Sequence, residues 1–171
     1  MAEVFIGIGS NIGKREENIN KTLELMSERI NIDNVSRFYK NPPQEGVQGG
    51  YFINCVVKGE TEDSPWEIAL FLQKIEEKLG RKSGHNKGEA RTIDLDILFY
   101  GDIRINKKGL QIPHPRLHCR DFVLKGLLDI APLKKHPVIG KSIKQLWRNI
   151  NVHNLKNPGS KKHNKTGRET G

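Results

Sequence analysis

The sequence predicts an α+β fold, because apolar runs of strand length alternate with two amphipathic helices in the order β-α-β-β-α-β. Residues 4–8 are apolar apart from one small glycine, which is typical of a buried strand. The next segment places apolar side chains at spacings of four, three and four residues, which predicts a helix with one apolar face. These side chains are Ile19, Leu23, Met26 and Ile30.

The chain from 35 to 80 predicts two further strands and a second helix. The strands are expected at 35–39 and 52–58, and Asn41-Pro42-Pro43 ends the first because proline cannot extend a strand ladder. The helix begins at Ser64-Pro65-Trp66-Glu67, a capping box with proline at the first helical position, and it ends at Gly80. Its apolar face consists of Ile68, Leu72, Ile75 and Leu79.

A strand at 93–99 completes this unit, and shorter elements follow it. Strands are predicted at 103–105 and 110–112, and helices at 122–130 and after Ser142. The inward face of the last helix consists of Ile143, Leu146, Trp147 and Ile150. The order is the ferredoxin-like pattern, with a mainly antiparallel sheet, helices on its faces and C-terminal strand and helix additions. Many functions share this fold, so the fold alone predicts none of them.

The 171 residues are enough for one domain with its own core, which we place at 1–151. Residues 152–171 lack apolar periodicity and are rich in basic and small polar residues, so we expect a disordered basic tail. The net charge of +9 predicts anionic partners, but it does not choose between nucleotide, nucleic acid and phospholipid.

The sequence shows no membrane or export signal. It has no run of about 18 apolar residues, and its first residues form a strand pattern and no signal peptide. The two cysteines, Cys55 and Cys119, have no spacing typical of a disulfide framework or metal site. We therefore expect Cys55 to be a buried free thiol and the protein to be cytoplasmic, where thiols stay reduced.

Asp94 and Asp96 are the strongest functional signal. They alternate with the apolar residues Ile93, Leu95, Ile97 and Phe99. Both carboxylates are therefore expected on one face of a strand whose other face is apolar. Two carboxylates on one face repel each other, but at roughly 6.5–7 Å along a strand they can share a pair of Mg²⁺ ions with bound phosphates. The alternative is a solvated polar face of an antiparallel sheet.

The loop 81–91 supports the metal hypothesis, because it precedes this strand and contains four basic residues. They are Arg81, Lys82, Lys87 and Arg91. Their charge would match a polyphosphate, and two glycines would let the loop act as a lid over it. Taken without its neighbours, the loop is equally well explained as a solvated basic segment.

Two other features are weaker signals. His114 lies between two prolines, near Arg116 and Arg120, which suggests an anion contact in a rigid turn. The glycines near the first strand match neither the dinucleotide fingerprint nor a Walker loop, so close packing explains them better.

Six motifs occur in a fixed order along the chain. They are Gly9-Ser10-Asn11, Tyr39-Lys40-Asn41-Pro42-Pro43, Phe52-Ile53-Asn54, Gln73-Lys74-Ile75-Glu76 with Gly80-Arg81, Arg91-Thr92-Ile93-Asp94-Leu95-Asp96-Ile97, and Pro113-His114-Pro115-Arg116. Through them, residues 3–150 resemble the 6-hydroxymethyl-7,8-dihydropterin pyrophosphokinase family of folate biosynthesis. The resemblance implies transfer of the terminal diphosphate of ATP to the hydroxymethyl oxygen of the pterin, with release of AMP.

The resemblance also implies roles for single residues. The catalytic residues would be Arg81, Arg91, Asp94 and Asp96, with two Mg²⁺ ions held by Asp94 and Asp96. The co-substrate ATP would contact Gln73, Arg81, Arg91, Ile97, His114, Arg116 and Arg120. The pterin would contact Asn41, Pro42, Pro43, Gln44, Phe52, Asn54 and Phe122. Glu76 would support the magnesium site without binding the metal itself.

Four places depart from the family pattern, all on the ATP side. Gly88 replaces a common tryptophan, Glu89-Ala90 replaces Gly-Pro, and Ser83 and Gly109 replace basic residues. These changes bear on lid closure and ATP affinity and leave the carboxylate pair intact. Our hypothesis is that charge from Lys82, Lys87 and Lys108 partly compensates.

Two alternative functions remain open: an RNA-binding ferredoxin-like module, and a catalytically impaired binder of pterin or nucleotide. The RNA-binding alternative needs a Lys/Arg-Gly-Phe/Tyr type of aromatic strand motif, which neither central strand has. Turnover would decide against the impaired binder. The expected partners are ATP and the pterin, with no nucleic acid and no membrane. We expect a monomer and leave a weak dimer open.

Overall fold

The computed structural model describes residues 1–42, 48–80 and 92–156, with side chains described up to 151. The strands are β1 (Ala2–Ser10), β2 (Asn31–Val35), β3 (Tyr39–Asn41), β4 (Phe52–Thr61), β5 (Asp94–Tyr100), β6 (Ile105–Lys107) and β7 (Leu110–Ile112). The helices are α1 (Arg15–Met26), α2 (Pro65–Lys78), α3 (Asp121–Ile130) and α4 (Ile143–Lys156), with a 3₁₀ turn at Leu117–Cys119.

The main sheet has the order β2-β4-β1-β5, and β3 pairs with the first residues of β4. Each of these pairings is antiparallel. Strands β6 and β7 form a separate antiparallel hairpin. With β2 and β3 counted as one interrupted strand, this is the ferredoxin-like order, so the predicted fold is confirmed.

Two apolar clusters lie on opposite faces of the sheet, because successive side chains of a strand alternate between faces. The first cluster packs α1 and α2 against one face and includes Ile6, Ile8, Ile19, Ile68, Leu72, Leu95 and Ile97. The second packs α3 and α4 against the other face and includes Phe5, Val56, Leu98, Phe99, Leu124, Leu127 and Ile143. The C-terminal helices therefore cover a face that a plain ferredoxin-like unit leaves open.

The helix starts predicted at Ser64 and after Ser142 carry reciprocal caps. Ser64 Oγ accepts from the Glu67 N–H at 3.2 Å, and Glu67 Oε2 accepts from the Ser64 N–H at 2.7 Å. Ser142 and Gln145 make the same pair of bonds before α4, at 3.2 and 2.9 Å. These caps satisfy backbone donors that a helix start otherwise leaves without partners.

The strand predicted at 35–39 is wrong, because Ser36 interrupts it. Strand β2 ends at Val35 and β3 begins only at Tyr39. Ser36 donates its N–H to Val56 O at 2.8 Å, but its side-chain Oγ accepts the Val56 N–H, also at 2.8 Å. A hydroxyl thus takes the place of the backbone carbonyl, which breaks the regular ladder and separates the two strands.

The expectation that Phe99 shares a face with Leu95 and Ile97 is also wrong. Phe5 pairs with Phe99 and Ile6 pairs with Ile97, so Leu98 is an extra residue in β5. Such a bulge shifts the alternation by one residue beyond it. Phe99 consequently packs in the second cluster, against Phe5, with ring centres 5.8 Å apart.

Several predicted boundaries shift by a few residues. Strands β1 and β4 are longer than predicted. Helix α1 ends at Met26, so the buried Ile30 lies after the helix. The strand expected at 103–105 lies at Ile105–Lys107. Helix α4 continues to Lys156, past the expected domain boundary at 151, and residues 157–171 of the expected tail lie outside the described residues.

Cys55 is a buried free thiol, as predicted, and burial raises its pKa to about 12. Cys119 is exposed and also free. Within the described ranges, no helix has the length and apolar character needed to cross a membrane.

Candidate active site

The two aspartates begin β5 and project to the face opposite Leu95 and Ile97, as the alternation predicts. Asp94 pairs with Gly9 of β1, Gly9 pairs with Asn54 of β4, and Asn54 pairs with Tyr39 of β3. We call these four residues the carboxylate row. The row crosses four strands on one face, so residues from four separate sequence motifs lie side by side.

The two glycines of β1 create space along this face. A Cβ added at Gly9 would lie 2.7 Å from Asn54 Oδ1 and 3.5 Å from Phe52 Cδ1. A Cβ at Gly7, which pairs with Asp96, would lie 3.4 Å from Leu98 Cδ2, an ordinary contact. Only glycine at position 9 lets Asn54 approach the strand this closely, which agrees with the predicted close packing at this glycine.

Two further predicted residues surround Asp96. Its Oδ2 lies 3.9 Å from His114 Nε2 and 3.8 Å from an Arg120 guanidinium nitrogen. Burial, followed by the charge of Arg120, lowers the pKa of His114 to about 4; Asp94 opposes this shift and Arg116 adds to it. His114 is therefore neutral at neutral pH, and its Nδ1 accepts the Arg116 N–H at 3.1 Å. Arg120 is the fixed positive charge beside the carboxylate.

Glu76 connects helix α2 to the strand between the two aspartates. Its side chain is buried, and Oε1 accepts the N–H of Leu95 at 2.9 Å. β5 is an edge strand of the sheet, so its outer N–H groups need a partner from another element. Glu76 thus holds the backbone that carries both carboxylates, and its expected support of a magnesium site stays a prediction.

A cleft of about 540 Å³ lies beside Asp96, between α2, β5 and the β6–β7 hairpin. Three residues predicted for the ATP side line it, namely Gln73, Ile97 and His114. The hairpin contributes Lys107, Lys108 and Gly109 to the opposite wall. Gly109 has a φ of +91°, which favours glycine over the basic residue expected from the family pattern.

The residues predicted for the pterin that the structure describes on β3 and β4 lie on the other side of the carboxylates. Asn41 pairs with Phe52, and Asn54 is buried two residues further along β4. Among the described residues, Asn41 Nδ2 is a buried side-chain nitrogen with no hydrogen-bond partner. Phe122, at the start of α3, packs against the second cluster with the Arg120 guanidinium 5.9 Å from its ring centre.

Some predicted residues lie outside the described part of the chain. They are Pro43 and Gln44 on the pterin side, and Arg81 and Arg91 with the rest of the loop 81–91. The expected lid, the departures at Ser83 and Gly88, and the hypothesis of compensating lysines therefore stay predictions. Pro42 is described and directly follows β3.

Sequence reasoning missed an aspartate that holds Tyr39, the last residue of the carboxylate row. Asp129 of α3 accepts the Tyr39 hydroxyl at 2.7 Å and the Arg37 backbone N–H at 3.1 Å. Burial, followed by this hydrogen bond, raises the pKa of Tyr39. No local pattern identifies the pair, because its members lie 90 positions apart in the sequence. Arg15, the first residue of α1, was missed as well.

The chain is similar to known proteins over most of its length. Residues 5–132 match the family described as 7,8-dihydro-6-hydroxymethylpterin-pyrophosphokinase. A 2-amino-4-hydroxy-6-hydroxymethyldihydropteridine pyrophosphokinase of Aquifex aeolicus is 39% identical over 145 residues, which cover 85% of this chain and 90% of that protein. A folic acid synthesis protein fol1 of Pneumocystis carinii is 42% identical over 154 residues, 90% of this chain but only 21% of that protein.

Solved structures give the same fold. The chain superimposes on Plasmodium falciparum HPPK-DHPS with a TM-score of 0.74 and 17% identity, covering 93% of this chain and 47% of that one. At this level of identity the match concerns the fold alone.

Proposed function

We propose how the described residues support pyrophosphoryl transfer, since the chain belongs to the 7,8-dihydro-6-hydroxymethylpterin-pyrophosphokinase family. The reaction moves the pyrophosphoryl group of ATP to hydroxymethyldihydropterin in folate synthesis. Membership sets aside the RNA-binding alternative. One observation carries the residue assignments. Asp96 lines the cleft, and Asp94, on the same face of the strand, lies in one row with Asn54.

ATP is assigned to the cleft, where Gln73, Ile97 and His114 form part of the lining. A neutral His114 can exchange hydrogen bonds with the nucleotide without adding a charge. Lys107 and Lys108 are positioned on the opposite wall to attract phosphate oxygens. Arg116 and Arg120 follow His114 in sequence, and Arg120 lies beside Asp96, so a polyphosphate directed toward Asp96 would meet a guanidinium.

The carboxylates fit two magnesium ions, as the family resemblance implies. Mg²⁺ is typically bound by one or two carboxylates together with substrate phosphates and water, so it does not need a protein cage. Among the described residues there is no cluster of three or more His, Cys, Asp or Glu side chains able to hold a metal, so bound phosphates and water would have to complete the coordination. When bound by Asp94 and Asp96, Mg²⁺ would neutralise phosphate charge and lower the pKa of the attacking hydroxyl.

The pterin is assigned to the space between Asn41, Phe52, Asn54 and Phe122. A buried donor without a partner costs free energy, and a heterocycle that accepts from Asn41 Nδ2 would recover it. Phe52 and Phe122 offer apolar surface to a flat ring. Asn54 adds an amide within the same face of the sheet, so the pocket can read the polar edge of the pterin.

Catalysis then depends mainly on placement and charge. The assigned sites put the hydroxymethyl group and the nucleotide on two sides of the same carboxylates, which favours in-line attack. Arg120 holds positive charge beside Asp96, where charge shifts during transfer. No general base is assigned. Arg81 and Arg91, assigned by resemblance, would add further positive charge from the loop.

A product assay tests this proposal. The purified chain is incubated with ATP, Mg²⁺ and 6-hydroxymethyl-7,8-dihydropterin, and AMP is separated from ADP. We expect AMP in amounts that depend on the pterin. ADP as the product would mean single-phosphate transfer and would contradict the proposal. Binding of both substrates without any nucleotide product would instead support the impaired binder.

A further inference from the structure

Helix α1 starts in a way that its own stability does not explain. Its N-cap residue, Lys14, makes no side-chain cap, and its first helical residue is the cation Arg15. A positive charge at this end opposes the helix dipole, and an uncapped start leaves backbone donors without a side-chain partner. Glu16 and Glu17 in the first turn partly offset this charge. Arg15 therefore calls for another explanation.

The Arg15 guanidinium binds three backbone carbonyls from two separate segments. Nε donates to Tyr51 O at 2.8 Å, while its terminal nitrogens donate to Gly13 O at 3.1 Å and Asn11 O at 3.0 Å. The guanidinium carbon also lies 4.1 Å from the centre of the Tyr51 ring. A planar fork of donors can satisfy several acceptors at once, which an ammonium group cannot do with the same geometry.

Asn11 joins the same two segments from the other side. It is fully buried, and its Nδ2 donates to Gln48 O at 2.8 Å. Its own carbonyl accepts the Gly50 N–H at 3.2 Å as well as the Arg15 bond. We call these bonds between 11–15 and 48–51 the Arg15 clamp.

Gly50 leaves the space that the Arg15 guanidinium occupies. A Cβ at this position would lie 2.5 Å from the Arg15 terminal nitrogen, a distance that side chains do not tolerate. The guanidinium would have to shift, which would disturb its bonds to the three carbonyls. A glycine at 50 and an arginine at 15 therefore belong to one arrangement.

The clamp fixes the chain immediately before Phe52, a residue assigned to the pterin site. Tyr51 is followed by Phe52, the first residue of β4, which pairs with Asn41. We propose that Arg15 is a positioning residue for the pterin: it locks 48–51 onto the turn after β1 and thereby sets the placement of Phe52 against Asn41. This inference rests on the proposed pterin site.

Steady-state kinetics of Arg15→Gln test the inference, with Lys14→Gln as a matched control. Lys14 carries the same charge next in sequence, but it is exposed and pairs only weakly with Glu17, at 3.8 Å. We expect Arg15→Gln to raise the KM for the pterin about tenfold, while kcat and the KM for ATP change by less than about twofold. The reason is that a misplaced Phe52 weakens pterin binding equally in the ground state and in the transition state. Lys14→Gln should match the unmodified protein in all three constants.

Arg15→Lys separates geometry from charge. It keeps the cation but not the fork, so we expect a pterin KM close to that of Arg15→Gln. Full recovery by lysine would overturn the clamp in favour of a simple charge effect. A lower melting temperature with an unchanged pterin KM would likewise overturn it, because the role would then be structural only.

Gly50→Ala disturbs the clamp without replacing Arg15, so it keeps the test decisive if an Arg15 variant folds poorly. It should reproduce the KM change of Arg15→Gln. Asn54→Ala tells the two proposals apart. If it raises the pterin KM while Arg15→Gln and Gly50→Ala do not, the clamp is wrong and the pterin site stands. If Asn54→Ala also leaves this KM unchanged, the pterin site itself is wrong.

Discussion

Gly9 shows how a single residue without a side chain can set how closely a neighbouring side chain approaches a strand. It lies between Asp94 and Asn54 in the carboxylate row, and a Cβ there would press on Asn54 Oδ1 at 2.7 Å. Gly7 lies two residues earlier on the same strand face, but its Cβ would meet only the flexible end of Leu98 at 3.4 Å. A methyl group at position 9 would therefore displace Asn54, whereas one at position 7 would fit against Leu98.

We predict that Gly9→Ala raises the KM for the pterin about tenfold, because overpacking by one methyl typically costs about 1–3 kcal/mol and Asn54 must shift. Gly7→Ala should change this KM by less than about threefold, since Leu98 can rotate. Initial rates at saturating ATP give both constants. Equal effects of the two substitutions would show that the approach of Asn54 does not matter.

At the scale of elements, the site depends on how β5 is held at the sheet edge. Glu76 of α2 binds the Leu95 N–H, and the His114 N–H donates to Leu98 O at 3.1 Å. On the sheet face that contains the carboxylate row, α3 packs against β4 so closely that a Cβ at Gly126 would lie 2.5 Å from Val56 Cγ2. Helices α3 and α4 thus cover the part of this face around Val56, and the carboxylate row lies toward its other end.

The segment between α3 and α4 depends on a buried histidine. His136 Nδ1 accepts the N–H groups of Val138 and Ile139 at 3.2 and 3.1 Å, and its ring packs on the edge of Phe99. Burial lowers the pKa of His136, with smaller contributions from His118 and Arg104. A protonated ring could not accept at Nδ1, so the folded state favours the neutral form.

We predict that acid destabilises the fold through His136. The unfolded histidine has a pKa of about 6.5 and the folded one a lower pKa, so below about pH 6.5 the unfolded state binds more protons. The free energy of unfolding should therefore fall from pH 7.5 to pH 5. His136→Leu should lower it by about 1–3 kcal/mol at pH 7.5, because two N–H groups lose their acceptor.

Urea denaturation at several pH values measures this effect. The dependence on pH should be smaller in His136→Leu but not absent, because His114 also has a lowered pKa. His118→Gln keeps His136 and removes only the smaller contribution of His118 to its lowered pKa, so it should reduce the pH dependence less than His136→Leu does. An unchanged pH dependence in His136→Leu would show that His136 does not couple protonation to folding.

At the scale of the whole molecule, local patterns predicted most of the fold. Period-two alternation placed both aspartates on one face, and the capping box at Ser64 located the start of α2. The interruption at Ser36 was unpredictable from its neighbours, because it depends on Val56, twenty positions away. The bulge at Leu98 has the same character: apolar residues continue through it, so the sequence pattern does not reveal the change of face.

The site was predicted less completely than the fold. Single side chains with strong chemistry, such as Asp96 and His114, were recognisable from their motifs, and the structure places them 3.9 Å apart. Supports formed by distant pairs, such as Tyr39 with Asp129, have no signature in the local sequence. Arg15 did leave a signal, a cation at an uncapped helix start, which becomes meaningful only when the segment at 48–51 is seen against it.

The central claim is that Asp94 and Asp96 are the centre at which magnesium, phosphate and pterin meet. The most direct measurement compares pterin-dependent AMP formation by Asp96→Ala and Asp102→Ala. Asp102 is a matched control, because it is a largely exposed carboxylate whose ion pair with Lys134, at 3.2 Å, lies outside the proposed site.

We predict that Asp96→Ala loses activity by about a thousandfold or more, because the charge and metal contacts of the transition state are removed. Its circular dichroism spectrum and melting temperature should stay close to those of the unmodified protein. Asp102→Ala should keep nearly full activity, since an exposed ion pair contributes little. A folded and fully active Asp96→Ala protein would contradict the account.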